Sequence, residues 1–251
     1  MSDNNEITVT GMILASTPVG ENDRRLVLLT RERGRITAFA NGARRPTSHL
    51  LAATNPFSYG IFDLYEGRSS YTLRRADISE YFEKVASDLD CVLYGTFFLE
   101  VADYYGKEGL DESDRLLLLY VTMKAMAGKK IPLTLVKEIY LLRTTVLNGD
   151  WPDVFSCASC GKKEELTHFS FAKHGALCKD CAGKFGDAVP VSPDCLYALR
   201  FVESAEIGKL YSFVLSKPVE EEFTSIVEGY RKRYSGHTFK SEEFLQFPGV
   251  K

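Results

Sequence analysis

No apolar run in this chain approaches the roughly 20 residues that a membrane-spanning helix needs. The opening stretch, Met1 to Glu6, is polar and acidic, the opposite of a secretory signal peptide. There is no P-loop, no G-x-S-x-G and no H-E-x-x-H. The four histidines, His49, His168, His174 and His237, are scattered, and no carboxylate pair stands out at a glycine-framed strand end. These absences predict a non-enzymatic protein with no membrane contact. An excess of positive charge is lacking too: the formal net charge is −3, so bulk charge alone indicates no nucleic-acid partner. Repeats and low-complexity tracts do not interrupt the chain.

What is present suits a protein with more than one core: 251 residues, 45% hydrophobic and 26% charged. Six cysteines, four of them in a metal pattern, predict a reducing cytoplasm. The pattern is Cys157-x-x-Cys160, seventeen residues, then Cys178-x-x-Cys181. A two-residue spacer turns the chain back so that both sulfurs face one ion, and two such turns close a tetrahedron. Four thiolates leave no open position, so the pattern predicts one structural Zn2+ rather than a catalytic one. A redox dithiol does not need two matched pairs, and two disulfides would require an oxidising compartment. Gly161 and Gly183 follow the two pairs, and Leu166, Phe169 and Phe171 suit a short hairpin over the metal. His168 and His174 read as surface residues, and Cys91 and Cys195 as buried thiols.

Residues 7 to 76 read as β-structure. Strands are predicted at 7–14, with Gly11 marking a bulge or bend, and at 24–30, 35–40, 57–65 and 71–75. A turn is predicted at 18–23 and a short helix at 48–53. Five short strands with a helix-sized insert between the third and fourth suit a small closed barrel. From residue 79 the period changes to 3.6: Phe82, Val85, Leu89, Val92, Leu93, Phe97, Val101 and Tyr104 recur at helical spacing. Further helices are predicted at 111–127, from Pro132 to Asn148-Gly149, from a Ser192 cap to about 203, from Pro218 to about 235, and as a last turn at 240–247. The predicted fold is therefore α+β and multidomain: a five-stranded barrel at 1–78, a helical domain at 79–154 and 184–251, and a zinc knuckle inserted at 155–183.

The charge is unevenly spread. Residues 7–76 hold ten arginines, no lysine and five acids, net +5, while residues 77–251 carry −6. A basic barrel on an acidic body is the pattern of a phosphate-binding module. Arg24, Arg25, Arg35, Arg44, Arg45, Arg74 and Arg75 are the candidate contacts, since arginine makes forked contacts to phosphate and stacks on bases. Neighbours on a strand point to opposite faces, so only one of each strand pair should share a face with the others. Tyr59, Tyr65 and Tyr71 could supply π-faces. Any one of these arginines could equally be a solvated surface charge; the set as a whole, without lysine, reads as a binding face. An interaction scaffold, with an acidic helical body, a structural zinc and no DNA contact, is the alternative.

The N-terminal stretch Gly20-Glu21-Asn22-Asp23-Arg24, then Leu26 to Thr30, Gly34-Arg35-Ile36 and Asn41-Gly42-Ala43-Arg44-Arg45, with Pro56-Phe57 before the fourth strand, resembles the RecO family of bacterial recombinational-repair proteins. The order barrel, helices, four-cysteine knuckle, helices resembles that family as well. The resemblance covers nearly the whole chain. It implies an N-terminal OB-fold, a helical C-terminal domain and a zinc knuckle. It further implies binding to single- and double-stranded DNA, annealing of complementary strands, and joint action with RecR to help RecA displace the single-strand DNA-binding protein. A cytoplasmic, nucleoid-associated protein is the corresponding expectation.

Overall fold

A computed structural model describes residues 5–246. The chain forms two compact units: one runs to Gly128 and takes in Phe239 onward, the other is Lys129–Thr238.

The first unit begins with five strands, β1 (Glu6–Val19), β2 (Asp23–Thr30), β3 (Gly34–Ala40), β4 (Tyr59–Glu66) and β5 (Tyr71–Glu80), with a one-turn helix α1 (Leu50–Ala53) between β3 and β4. They close into a barrel in the order β1-β2-β3-β5-β4. All pairings are antiparallel except β3 with β5. That is the five-stranded OB arrangement. Alternation builds its interior: Val9 and Ile13, Leu26 and Leu28, Ile36 and Ala38, Phe62 and Leu64, Tyr71 and Leu73 form one apolar cluster, with α1 adding Leu50. Val27 and Leu29 point the other way and are buried too. Helices α3 (Leu89–Tyr105) and α4 (Ser113–Gly128) cover that side of β2, which is why the run Leu26 to Leu29 is apolar throughout.

Several boundaries differ from the sequence reading. Pro18 and Val19 belong to β1, paired with Arg24 and Asp23, and only Gly20 to Asn22 turn. The irregularity in β1 falls between Ile13 and Ala15 rather than at Gly11. Strand β5 continues to Glu80, with Ala76 and Ile78 half-buried against the barrel core. The expected long helix from 79 is broken: α2 (Glu83–Ala86) follows Phe82 in a left-handed conformation, and α3 restarts where the Asp88 carboxylate accepts from the Cys91 amide. The break re-phases the apolar stripe. Phe82, Val85, Phe97 and Val101 are buried, but Leu89 and Tyr104 are exposed, and Cys91, Tyr94 and Phe98 take their places. Phe239 returns to the unit against Phe97 and Tyr104, followed by a 3-10 segment Lys240–Gln246. Phe247, expected to end that turn, lies outside the described residues.

The second unit packs α5 (Leu133–Leu147), α7 (Pro193–Ser204) and α8 (Lys217–Tyr234) together. Between α5 and α7 lie β6 (Leu166–Ser170), β7 (Gly175–Cys178), a short α6 (Lys179–Ala182) and β8 (Ala188–Pro190), with sheet order β7-β6-β8. The stop at Asn148-Gly149 and the Ser192 cap, whose hydroxyl accepts from the Cys195 amide, fall where the sequence puts them. Lys137 joins α5 to α8: its Nζ is 3.0 Å from Glu138 Oε1 and 2.8 Å from Glu228 Oε1. Glu138 is buried, and burial pushes its carboxyl up to about 7, against the pull of Lys137 and with the push of Glu228.

Two outcomes follow from this packing. Gly34 has φ +66°, and a Cβ there would lie 2.0 Å from the Lys107 carbonyl oxygen. Gly34→Ala should therefore cost about 3 kcal/mol or more in urea unfolding, because strain and a backbone clash add. A carboxyl whose folded pKa exceeds its ordinary value binds its proton more tightly in the native state, so stability is lost as pH rises from that ordinary value through about 7. Thermal melts should accordingly weaken between pH 5 and pH 8. Glu138→Gln should reduce that slope; an unchanged slope would contradict the assignment.

Candidate nucleic-acid interface and metal centre

The four cysteines of the spaced pairs converge. The Sγ atoms of Cys157, Cys160, Cys178 and Cys181 all lie within 4.8 Å of one another, and those of Cys160 and Cys178 are 3.8 Å apart. None is in a disulfide. Four sulfurs about 2.3 Å from a central ion stand about 3.8 Å apart at tetrahedral angles, so the set fits a metal ion. Backbone bonds build the knuckles. The Cys157 amide donates to the Lys162 carbonyl and the Gly161 amide to the Cys157 carbonyl, both at 2.8 Å, with Gly161 at positive φ. On the other side the Lys179 amide donates to Glu165, and the Ala158 amide donates to Ala176.

The thiols are electrostatically unequal. Burial raises Cys157, but the amides of Cys178, Ser159 and Cys160 outweigh it and hold the thiol down to about 6. At Cys160 the Lys162 amide pulls down, yet the neighbouring Cys157, Cys181 and Cys178 thiols and burial push it up to about 11. Four crowded sulfurs cannot all ionise unless a cation offsets their repulsion. Among the described residues no histidine joins the cluster. His168 is half-buried beside Thr167, and the exposed His174 lies 3.1 Å from the Tyr230 hydroxyl. Cys91 and Cys195 are buried, and burial pushes Cys195 up to about 12.

The seven arginines separate by what they touch. Arg24 is half-buried, and its guanidinium donates to Thr54 Oγ1 and Asn55 Oδ1, each at 2.8 Å, and to the Leu51 carbonyl. It braces the end of α1. Arg35, at the start of β3, is ion-paired at 2.5 Å to Asp103 on α3. Arg25, Arg44, Arg45, Arg74 and Arg75 are exposed. Arg44 ties the loop after β3 to the β1–β2 turn, through its amide to Asn22 and its guanidinium to Gly20. The guanidinium groups of Arg25, Arg45 and Arg75 make no hydrogen bond or ion pair among the described residues.

Register brings these five toward one end of the barrel. Arg25 pairs with Phe39, Phe39 with Thr72, and Thr72 with Tyr65, so these four form one outward row across β2, β3, β5 and β4. Strand β5 runs alongside β3 in the same direction, so Arg74 and Arg75 follow where β3 gives way to the loop bearing Arg44 and Arg45. Alternation should have turned Arg75 inward. Instead the register shifts between Asp63 and Leu64, with Asp63 opposite Arg75 and Leu64 opposite Leu73. Arg74 is the extra residue of a bulge, and both arginines face solvent.

The tyrosines divide as well. Tyr71 is buried in the barrel, and Tyr59 packs 4.6 Å from Tyr120. Tyr65 is exposed, with the Arg74 guanidinium 5.6 Å from its ring centroid. The other outward aromatic, Phe39, escaped the sequence reading. Its signal was the parity it shares with Arg35 and Thr37 on β3.

The chain matches two family models, described as Recombination protein O N terminal over residues 1–82 and Recombination protein O C terminal over residues 86–243. It is 31% identical to the DNA repair protein RecO of Acetivibrio thermocellus over 247 residues, 96% of this chain and 97% of that one. It is 29% identical to the RecO protein of a Thermoanaerobacter species over 235 residues, 93% of this chain and 94% of that one. Against the RecO protein of Bacillus subtilis it is 26% identical over 235 residues, covering 94% and 92%. A closed OB barrel, a helical unit carrying a four-cysteine cluster, and matches along nearly the whole length agree: the chain belongs to the Recombination protein O family.

Proposed function

We propose that this protein is a non-enzymatic DNA-binding mediator of recombinational repair. It binds single- and double-stranded DNA, anneals complementary strands and, with RecR, helps load RecA onto DNA coated by the single-strand DNA-binding protein. Family membership supports the role in recombinational DNA repair. The observation that carries the DNA-binding reading is the outward row Arg25, Phe39, Thr72 and Tyr65, flanked by Arg44, Arg45, Arg74 and Arg75. Guanidinium groups without protein partners suit phosphates, and aromatic faces suit unstacked bases. In this reading Arg24 and Arg35 act indirectly, by holding α1 and α3 to the barrel. Neutralising phosphate charge with this face lowers the repulsion between two strands, which lets their bases pair. No helix among the described residues is long and apolar enough to cross a membrane, in keeping with a cytoplasmic, nucleoid-associated role.

The metal in this reading is one zinc ion held by Cys157, Cys160, Cys178 and Cys181. The all-sulfur donor set favours it, and four protein ligands leave no site for water or substrate. Its work is to fix the knuckle.

Binding of a labelled duplex across a salt series should give a log–log slope of roughly −5 if about six phosphates are neutralised. Replacing Arg25, Arg45 and Arg75 together by alanine should make that slope shallower by roughly 2 to 3 and leave the melting temperature nearly unchanged. A flat salt response, or a variant that binds like the parent, would refute the interface. Elemental analysis should find one zinc per chain. A strong chelator or Cys181→Ser should speed hydrogen exchange in residues 155–185 while leaving the barrel protected. Metal-free protein with an equally protected knuckle would contradict the structural role.

A further inference from the structure

The second unit carries a basic and aromatic ridge away from the four sulfurs, at the tip of the β6–β7 hairpin. Phe171 opens the tip, and its ring packs against α8 at Gly229, where a Cβ would come within 2.9 Å of the ring. Its carbonyl accepts from the Tyr234 hydroxyl at 2.7 Å. The tip is therefore seated on the last turns of α8, with its side chains preorganised. Arg233 lies with its guanidinium 4.1 Å from the Phe171 ring centroid, and Lys173 with its Nζ 4.9 Å from that of Phe185. Lys184 adjoins Phe185 in sequence.

Arg233, Lys173 and Lys184 are exposed, and none has a carboxylate ion pair among the described residues. The acid on the ridge, Asp187, accepts from the Ser170 hydroxyl and the Ala172 amide, which shapes the turn, and its charge also interacts with Arg233 without forming an ion pair. Beside these cations Tyr234 is 41% exposed, and the His174 ring lies 4.3 Å from it. Cations in the last turn of a helix complement its dipole. That accounts for Arg233 alone and not for Lys173, on the hairpin tip, or Lys184, next in sequence to Phe185.

We propose that this ridge is a second binding surface for a single nucleic-acid strand. Arg233, Lys173 and Lys184 take consecutive phosphates, and the Tyr234–His174 pair receives a base. A cationic track interleaved with exposed rings is the arrangement that suits single strands with little sequence preference. An acidic peptide would use the cations but not the rings. The choice of ligand rests on the DNA-binding reading of the barrel, whereas the site itself uses none of the barrel's residues. A chain with two such surfaces engages two strands, or two parts of one, at once.

The test uses the full zinc-loaded chain and a labelled oligothymidylate in a salt series. Lys173→Glu with Lys184→Glu changes exposed side chains only, so folding is preserved; Arg233→Gln is the second variant. The double variant should bind on the order of tenfold more weakly, with a slope shallower by about 1.4, the value for two phosphates on a single strand. Arg233→Gln should weaken binding in the same direction. The loss should recur when the barrel arginines 25, 45 and 75 are already alanine. If both ridge variants bind like the parent while the barrel variant is impaired, the ridge proposal fails and the barrel reading stands. If the ridge variants are impaired and the barrel variant is not, the barrel reading fails and the ridge stands. Equal competition by polyglutamate of matched charge would mark an acidic-protein site and overturn the proposal.

Discussion

A barrel closed by hydrogen bonds on every strand has one inside and one outside, and each side chain must choose between them. Leu26, Leu28, Ile36, Ala38, Phe62, Leu64 and Leu73 fill the inside of this one. On the order of 1.5–3 kcal/mol per fully buried apolar side chain holds that choice in place. The same alternation forces Arg25, Phe39, Thr72 and Tyr65 outward on neighbouring strands. A slip of one residue would bury a guanidinium and expose a leucine, so the register that makes the core also makes the outer row. The one departure, the bulge at Arg74, adds a second outward cation to β5 without disturbing Leu73.

The two units are built on different economies. The barrel unit has a large apolar core, and α3 and α4 cover one side of it. The second unit supplements its helix packing with polar ties: Lys137 to Glu138 and Glu228, and Arg200 Nε to the Val154 carbonyl at 2.9 Å. Its small three-stranded sheet is too short to stand by itself, and the sulfur cluster supplies the missing constraint. The sulfur cluster and the hairpin thus belong to one structural device, and the hairpin tip is seated on α8 through Phe171.

Much of this was legible in the residues. The matched Cys-x-x-Cys pairs announced the cluster, because that spacing has few other uses. Gly149 and Ser192 marked a helix stop and a helix cap through backbone chemistry that is local. Tyr71, expected to offer a face for stacking, is instead buried in the barrel, on the same parity as Leu73. What stayed hidden depends on partners distant in sequence. Arg35 cannot be seen to pair with Asp103, 68 residues away, nor Arg24 with Thr54 and Asn55, until the fold exists. The bulge that turns Arg75 outward is a property of two strands together, and the helix break comes with Phe82 at positive φ and an Asp88 cap on α3.

The central claim is that a nucleic-acid strand lies across the outward row of the barrel with its bases on Phe39 and Tyr65. Photocrosslinking of an oligonucleotide carrying bromodeoxyuridine, followed by peptide mapping, tests it most directly. The account predicts adducts on the peptides that contain Phe39 and Tyr65, lost when Arg25, Arg45 and Arg75 are replaced. Robust binding with no adduct anywhere between residues 6 and 80 would contradict it.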